Sequence, residues 1–164
     1  MMLWGLAALV ALSSAECRPA AGHVSTPTAV AAGARRLGSF RVDTVRYGRF
    51  GPVVLYRQRE HPSQVVLFVS GDGGWNRAVV GMAEELATMG ALVVGIDIRR
   101  YLNALAAAKE PCSYPAADFE ALSQWLQHTL GFPRYVSPVM VGHSSGATLV
   151  YATLAPARAT TDGG

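Results

Sequence analysis

The chain has little cysteine, a single lysine, few charges and no hydrophobic run of membrane-spanning length. Cys17 and Cys112 are its two cysteines in 164 residues. No histidine stands at ligand spacing from them, which excludes a cysteine–histidine zinc site, and no metal or cofactor is expected. In an oxidising compartment the two could pair or remain free thiols; the sequence leaves both open. Thirteen of the 14 basic residues are arginine, and the net charge is only +3. They are dispersed, with Arg35-Arg36 and Arg99-Arg100 the only adjacent pairs. A nucleic-acid footprint is a dense basic stripe, so no nucleic-acid partner is expected. With 51% hydrophobic and 15% charged residues, the chain forms a core and is not disordered.

The longest apolar run, Leu3 to Leu12 in MMLWGLAALVALSSAEC, is too short to cross a bilayer but suits the core of a signal peptide. Ser13 and Ala15 are small residues placed for cleavage before Glu16, so residues 1–15 read as a signal peptide. No basic residue precedes the run, and the alternative is a start codon set ahead of a cytoplasmic domain. Glu16 before Cys17 argues against a lipoprotein. Residues 16–38, rich in Ala, Gly, Pro, Ser and Thr, lack helical or alternating period and read as a flexible linker, with His23 idle inside it.

Structure is expected from Phe40, in a domain over residues 39–164. FRVDTVRY alternates as a half-buried strand does, and VVLY follows a turn, which together predict an antiparallel hairpin at a sheet edge. VVLFVS, ALVVGID and SPVMVG are continuous apolar runs, as in strands covered on both faces. Arg77 to Met89 and Pro115 to Leu130 carry apolar residues at helical spacing, and Ala147 to Leu154 reads as a third helix. Residues 98–113 read as a connection, with room for a turn of helix in its alanine-rich part. His128 falls on the polar side of the second helix and His61 in the loop after the hairpin. Strands alternating with helices predict an α/β fold, a mostly parallel sheet with helices on both faces.

Two glycine-rich stretches sit at strand-to-helix junctions. Gly142-His143-Ser144-Ser145-Gly146 matches Gly-x-Ser-x-Gly, the turn that lifts a nucleophilic serine clear of a sheet at a helix N-terminus. Ser144 is the candidate nucleophile and Gly142 and Gly146 the glycines that let the turn close; Ser145 lacks the symmetric spacing. The second stretch is SGDGGWN, Ser70 to Asn76. A loop after this strand can supply one oxyanion-hole amide, here Asp72 or Gly73, and Ser145 supplies the other. A nucleotide loop is disfavoured because no Gly-Lys-Ser/Thr ends it and Asn76 stands where a third glycine is required. Asp97, at the end of ALVVGID, reads as a salt-bridge partner of Arg99 or Arg100 before it reads as a site residue.

SGDGGW, GID followed by RRY, and GHSSGATLVYATL together resemble the bacterial virulence protein VirJ and its AcvB relatives over roughly residues 40–155. The resemblance implies an exported, periplasmic protein of α/β-hydrolase fold. Its implied activity is hydrolysis of the ester joining an amino acid to phosphatidylglycerol, with the membrane phospholipid ester as substrate and Ser144 as nucleophile. It also implies a link to secretion-system proteins, which leaves a non-catalytic, virulence-associated binding protein as the alternative.

The sequence departs from that pattern at its C-terminal end. A hydrolase of this fold delivers its acid and histidine after the serine, but no histidine and only Asp162 follow Ser144. The expectation is therefore an incomplete, C-terminally truncated hydrolase domain, inactive or impaired as it stands. It is also expected to self-associate through an exposed apolar edge strand.

Overall fold

A computed structural model describes residues 32–37, 40–60, 62–110 and 112–159. The proposed signal peptide, Cys17 with any pairing it makes, His23, His61 and Asp162 lie outside the described residues. Among the described residues, six strands and four α-helices follow in the order β1 (Ala32–Leu37), β2 (Phe40–Tyr47), β3 (Gly51–Arg57), β4 (Gln64–Val69), α1 (Arg77–Thr88), β5 (Ala91–Ile96), α2 (Ile98–Ala108), α3 (Pro115–Thr129), β6 (Val139–Gly142) and α4 (Ser145–Ala159). One turn of 3-10 helix, Gly48–Phe50, joins β2 to β3.

The strands form one sheet in the order β1-β2-β3-β5-β4-β6. Its core, β5-β4-β6, is parallel, with Val66 opposite both Val93 and Val139. The strands β1 to β3 extend it antiparallel on one side. The hairpin expected from FRVDTVRY and VVLY is present, with Val42 opposite Tyr56 and Val45 opposite Val53. It is not the edge, because β1 adds a further strand drawn from the segment read as linker. The run Ala32 to Leu37 has no alternating pattern, so its sequence does not mark it as a strand.

Alternation along the strands divides the core in two. Val65, Leu67, Val69, Leu92, Val94 and Ile96 face α2, α3 and α4, whose Tyr101, Phe119, Leu122, Leu126 and Val150 meet them. Val66, Phe68 and Val93 face the other way, against Val79, Ala83 and Ala87 of α1. Helices therefore cover both faces, as α/β layering demands. Phe50 stacks on Tyr101 with centroids 4.6 Å apart and meets Phe119 edge-on at 5.0 Å. The Tyr101 hydroxyl donates to Asp118 Oδ2 at 2.9 Å, and Arg49 bridges Asp118 and Glu110 beside it. Burial, then the neighbouring Asp118 carboxylate, pushes the Tyr101 hydroxyl far above the ordinary phenol range.

Residues 98 to 108, expected to be mostly a connection, form the three-turn helix α2. Its buried stripe is Ile98 and Tyr101, with Leu105 packed beside them, and Asp97 caps it by accepting from Arg99 N at 2.9 Å. Asn76 caps α1 in the same manner, accepting from Ala78 N at 3.0 Å. Pro115 opens α3 at its first turn, where a missing N–H costs nothing.

Candidate active site

All three chemically distinctive segments lie at the C-terminal ends of the three parallel strands: Ser70 to Asn76 after β4, Asp97 after β5, and His143-Ser144 after β6. Because β5 and β6 flank β4 on opposite sides, this end is where the chain changes winding direction and where such sheets leave a crevice.

The β6-to-α4 junction is a strained, tightly packed turn. Ser144 has φ 55°, in the left-handed region that residues with a Cβ rarely adopt. Such a conformation costs about 1–3 kcal/mol and persists only where surroundings impose it. Those surroundings are visible. His143 N donates to Val69 O at 3.0 Å, Gly146 N to His143 O at 3.0 Å, and Ala147 N to Ser144 O at 2.9 Å. A Cβ on Gly142 would overlap the backbone of Gly146 and Ala147, and one on Gly146 would overlap the carbonyls of Val69 and Ser70. Both glycines are thus required for α4 to turn back against β4 and β6. The Ser144 side chain is exposed, whereas Ser145 Oγ is buried with no hydrogen-bond partner.

The loop after β4 is held from below by Ser70 and Trp75. Ser70 is fully buried; its amide donates to Ile96 O at 2.9 Å, and its hydroxyl accepts from Ile98 N at 3.2 Å. That ties the end of β4 to the end of β5. A turn follows, closed by Gly74 N donating to Gly71 O at 2.8 Å. Trp75 then folds back onto the sheet. Its ring lies directly over Gly95, meets Phe68 edge-on with centroids 5.6 Å apart, and donates from Nε1 to the Tyr56 hydroxyl at 3.2 Å. Burial pushes the Tyr56 hydroxyl above its ordinary range, so it stays neutral and accepts this bond.

Between these anchors Asp72 and Gly73 are exposed at the crest of the turn. Among the described residues, the amides of Asp72, Gly73 and Ser145 have no backbone acceptor. Gly71 touches the serine turn itself, since a Cβ there would stand 2.9 Å from Ser144 Cβ and 3.2 Å from His143 Nδ1.

Asp97 accepts from two backbone amides, Arg99 N at 2.9 Å and Trp75 N at 3.3 Å. It therefore joins the loop to α2. It also pairs with both arginines considered for it, Arg99 at 3.8 Å and Arg100 at 3.9 Å. The structure brings together Gly142, Ser144, Ser145, Gly146 and the turn carrying Asp72 and Gly73. His128 lies near the end of α3, which leads into the start of β6, and so stands at the opposite end of the sheet. Trp75 and Ser70 were not singled out in the sequence. A signal for Trp75 existed, because a lone glycine inside the apolar strand ALVVGI marks a close approach by another group.

Among the described residues no helix is long and apolar enough to cross a membrane, and no three potential metal ligands cluster. A parallel core covered on both faces, with a Gly-x-Ser-x-Gly turn between the strand beside β4 and the next helix, defines an α/β-hydrolase-like domain. Residues 63–161 match the family model described as bacterial virulence protein (VirJ), and the chain belongs to that family. No curated protein matches it. A solved structure titled "Lipase (Open form)" superposes with a TM-score of 0.41 at 19% identity, covering 71% of this chain. The chain spans about a third of that lipase, 36% of its length.

Proposed function

We propose that Ser144 is the nucleophile of a serine ester hydrolase site. Its hydroxyl gives its proton to a general base as the oxygen attacks the acyl carbon, the alcohol leaves with that proton on collapse of the tetrahedral intermediate, and water then cleaves the acyl-serine, releasing the acid and restoring the hydroxyl. The amides of Ser145 and of Asp72 or Gly73 hold the oxyanion. Their lack of backbone acceptors supports this role. The observation that carries the reading is the left-handed φ of Ser144 between β6 and α4, with the neighbouring Ser145 Oγ buried out of reach.

The finer reading is an exported, periplasmic enzyme that cleaves the aminoacyl ester of aminoacylated phosphatidylglycerol. It is supported by family membership and by the apolar leader Leu3 to Leu12 with its small residues Ser13 and Ala15. Reaction with a fluorophosphonate, mapped by peptide mass spectrometry, tests the nucleophile; release of free amino acid from the lipid tests the substrate.

One observation favours a second reading, a periplasmic virulence- or secretion-associated binding protein. No described residue hydrogen-bonds Ser144 Oγ, so no base stands against it there. On that reading Ser144→Ala retains every partner recovered from periplasm, and loss of them all with this small change contradicts it.

A further inference from the structure

Among the described residues no cysteine is free, and Cys112 is disulfide-bonded. Cys17 is the one other cysteine of the chain. Cys112 is exposed in the connection between α2 and α3, two residues after Glu110. That connection is fixed in place. Arg49 Nη2 donates to both carboxylate oxygens of Glu110 at 2.6 Å, and its Nη1 reaches Asp118, at the start of α3, at 3.3 Å. Asp97 caps the other end of α2, so the helix is held at both ends.

The topology sets this connection at the serine end of the sheet. Because β3 runs antiparallel to β5, the turn Gly48–Phe50 that precedes β3 lies at the C-terminal end of β5. Arg49 sits on that turn and brings Glu110 to it. The strand β1 is antiparallel to β2, with Ala32 opposite Thr44 and Leu37 opposite Phe40, so β1 begins where β2 leads into the same turn. The chain therefore enters β1 from the end that carries Cys112. From Cys17 to Ala32 is about 15 residues, which span up to about 50 Å when extended. Adjacent strands lie about 5 Å apart, so this length suffices for Cys17 to reach Cys112.

We propose that Cys17 and Cys112 form one intrachain disulfide that staples the start of the exported chain to the serine end of the domain. Cys17 is the second residue after the expected cleavage before Glu16, so the staple fastens the new N-terminus itself. Two thiols become one disulfide and lose two electrons and two protons; a disulfide oxidant takes them and is reduced to two thiols. The bond closes a loop of about 95 residues, and a long loop constrains the unfolded chain more than a short one. Its formation in the cell rests on the export reading, because a reducing cytoplasm keeps such thiols reduced. The pairing of the two residues does not rest on it.

Refolding of the full chain from the reduced state with oxidised glutathione tests it, with free thiols alkylated and unreduced peptides mapped by mass spectrometry. One linked peptide pair holding Cys17 and Cys112 is expected, in a protein that runs as a single chain on a denaturing gel without reductant. Reduction of the folded protein is expected to lower its melting temperature by about 5–15 °C. Cys17→Ser and Cys112→Ser are expected to melt like reduced wild type and to ignore reductant; the reduction of wild type gives the same reading should either variant fail to fold. The staple is overturned if both cysteines are alkylated after refolding, if the link joins two Cys112 residues in a dimer, or if reduction leaves the melting temperature unchanged. A bond that forms on refolding but is found reduced in acid-quenched cells supports the pairing and contradicts export. Failure of the Ser144 reading shows separately, as absence of fluorophosphonate labelling, because the staple needs no nucleophilic serine.

Discussion

Gly71 and Ser144 come from different junctions, the ends of β4 and β6, yet a methyl group on Gly71 would stand 2.9 Å from Ser144 Cβ. Real Cβ atoms do not approach so closely, so one of the two turns must move if residue 71 gains a side chain. Gly71→Ala is expected to slow fluorophosphonate labelling of Ser144 by about tenfold to a hundredfold, since misplacement by an ångström carries that cost. Labelling rate measured against Ser144→Ala as the blank checks it.

Strain at Ser144 predicts a trade between function and stability. At φ 55° glycine has no Cβ penalty, so Ser144→Gly is expected to stabilise the domain by about 1 kcal/mol. That estimate sets relief of strain against the greater entropy glycine loses on folding. Urea denaturation checks the sign, and labelling is lost in the same variant.

Trp75 couples the loop to the sheet. Trp75→Ala removes its packing on Phe68 and Gly95 and the bond to Tyr56, and is expected to cost about 2–4 kcal/mol. Gly95→Ala is expected to destabilise by about 1–3 kcal/mol because the added methyl would overlap the indole. The two changes are in contact and should not add, which a double-mutant cycle in denaturant would register.

Alkaline pH should unfold the domain earlier than its salt bridges alone imply. The folded state holds the Tyr101 proton more tightly than the unfolded chain does, by burial first and Asp118 second. The resulting stability is complete below the unfolded phenol pKa of about 10 and is lost as pH rises above it. Tyr47 and Tyr56 are raised in the same direction, mainly by burial. Tyr101→Phe is therefore expected to flatten, but not abolish, the fall in melting temperature above about pH 10.

The legible parts of the sequence were those whose evidence is local. Continuous apolar runs marked β4, β5 and β6, and Gly142, Ser144 and Gly146 sat together in one short turn. The helix α2 was missed although Asp97 precedes a stripe of Ile98, Tyr101 and Leu105, because the alanine-rich stretch around it masked the period. The strand β1 was missed for a different reason, since Ala32–Leu37 carries no alternation of apolar and polar residues. Trp75 draws its meaning from Tyr56, Phe68 and Gly95, on three separate strands, and no local pattern encodes that meeting. Asp97 was read as an arginine partner, which it is; its capping of α2 and its grip on Trp75 depend on the β4 loop reaching it.

Site-mapped fluorophosphonate labelling tests the central claim most directly. The account predicts one modified peptide, with the adduct on Ser144 and none on Ser145, and no adduct in Ser144→Ala. An unlabelled wild type, or labelling that survives Ser144→Ala, would contradict it.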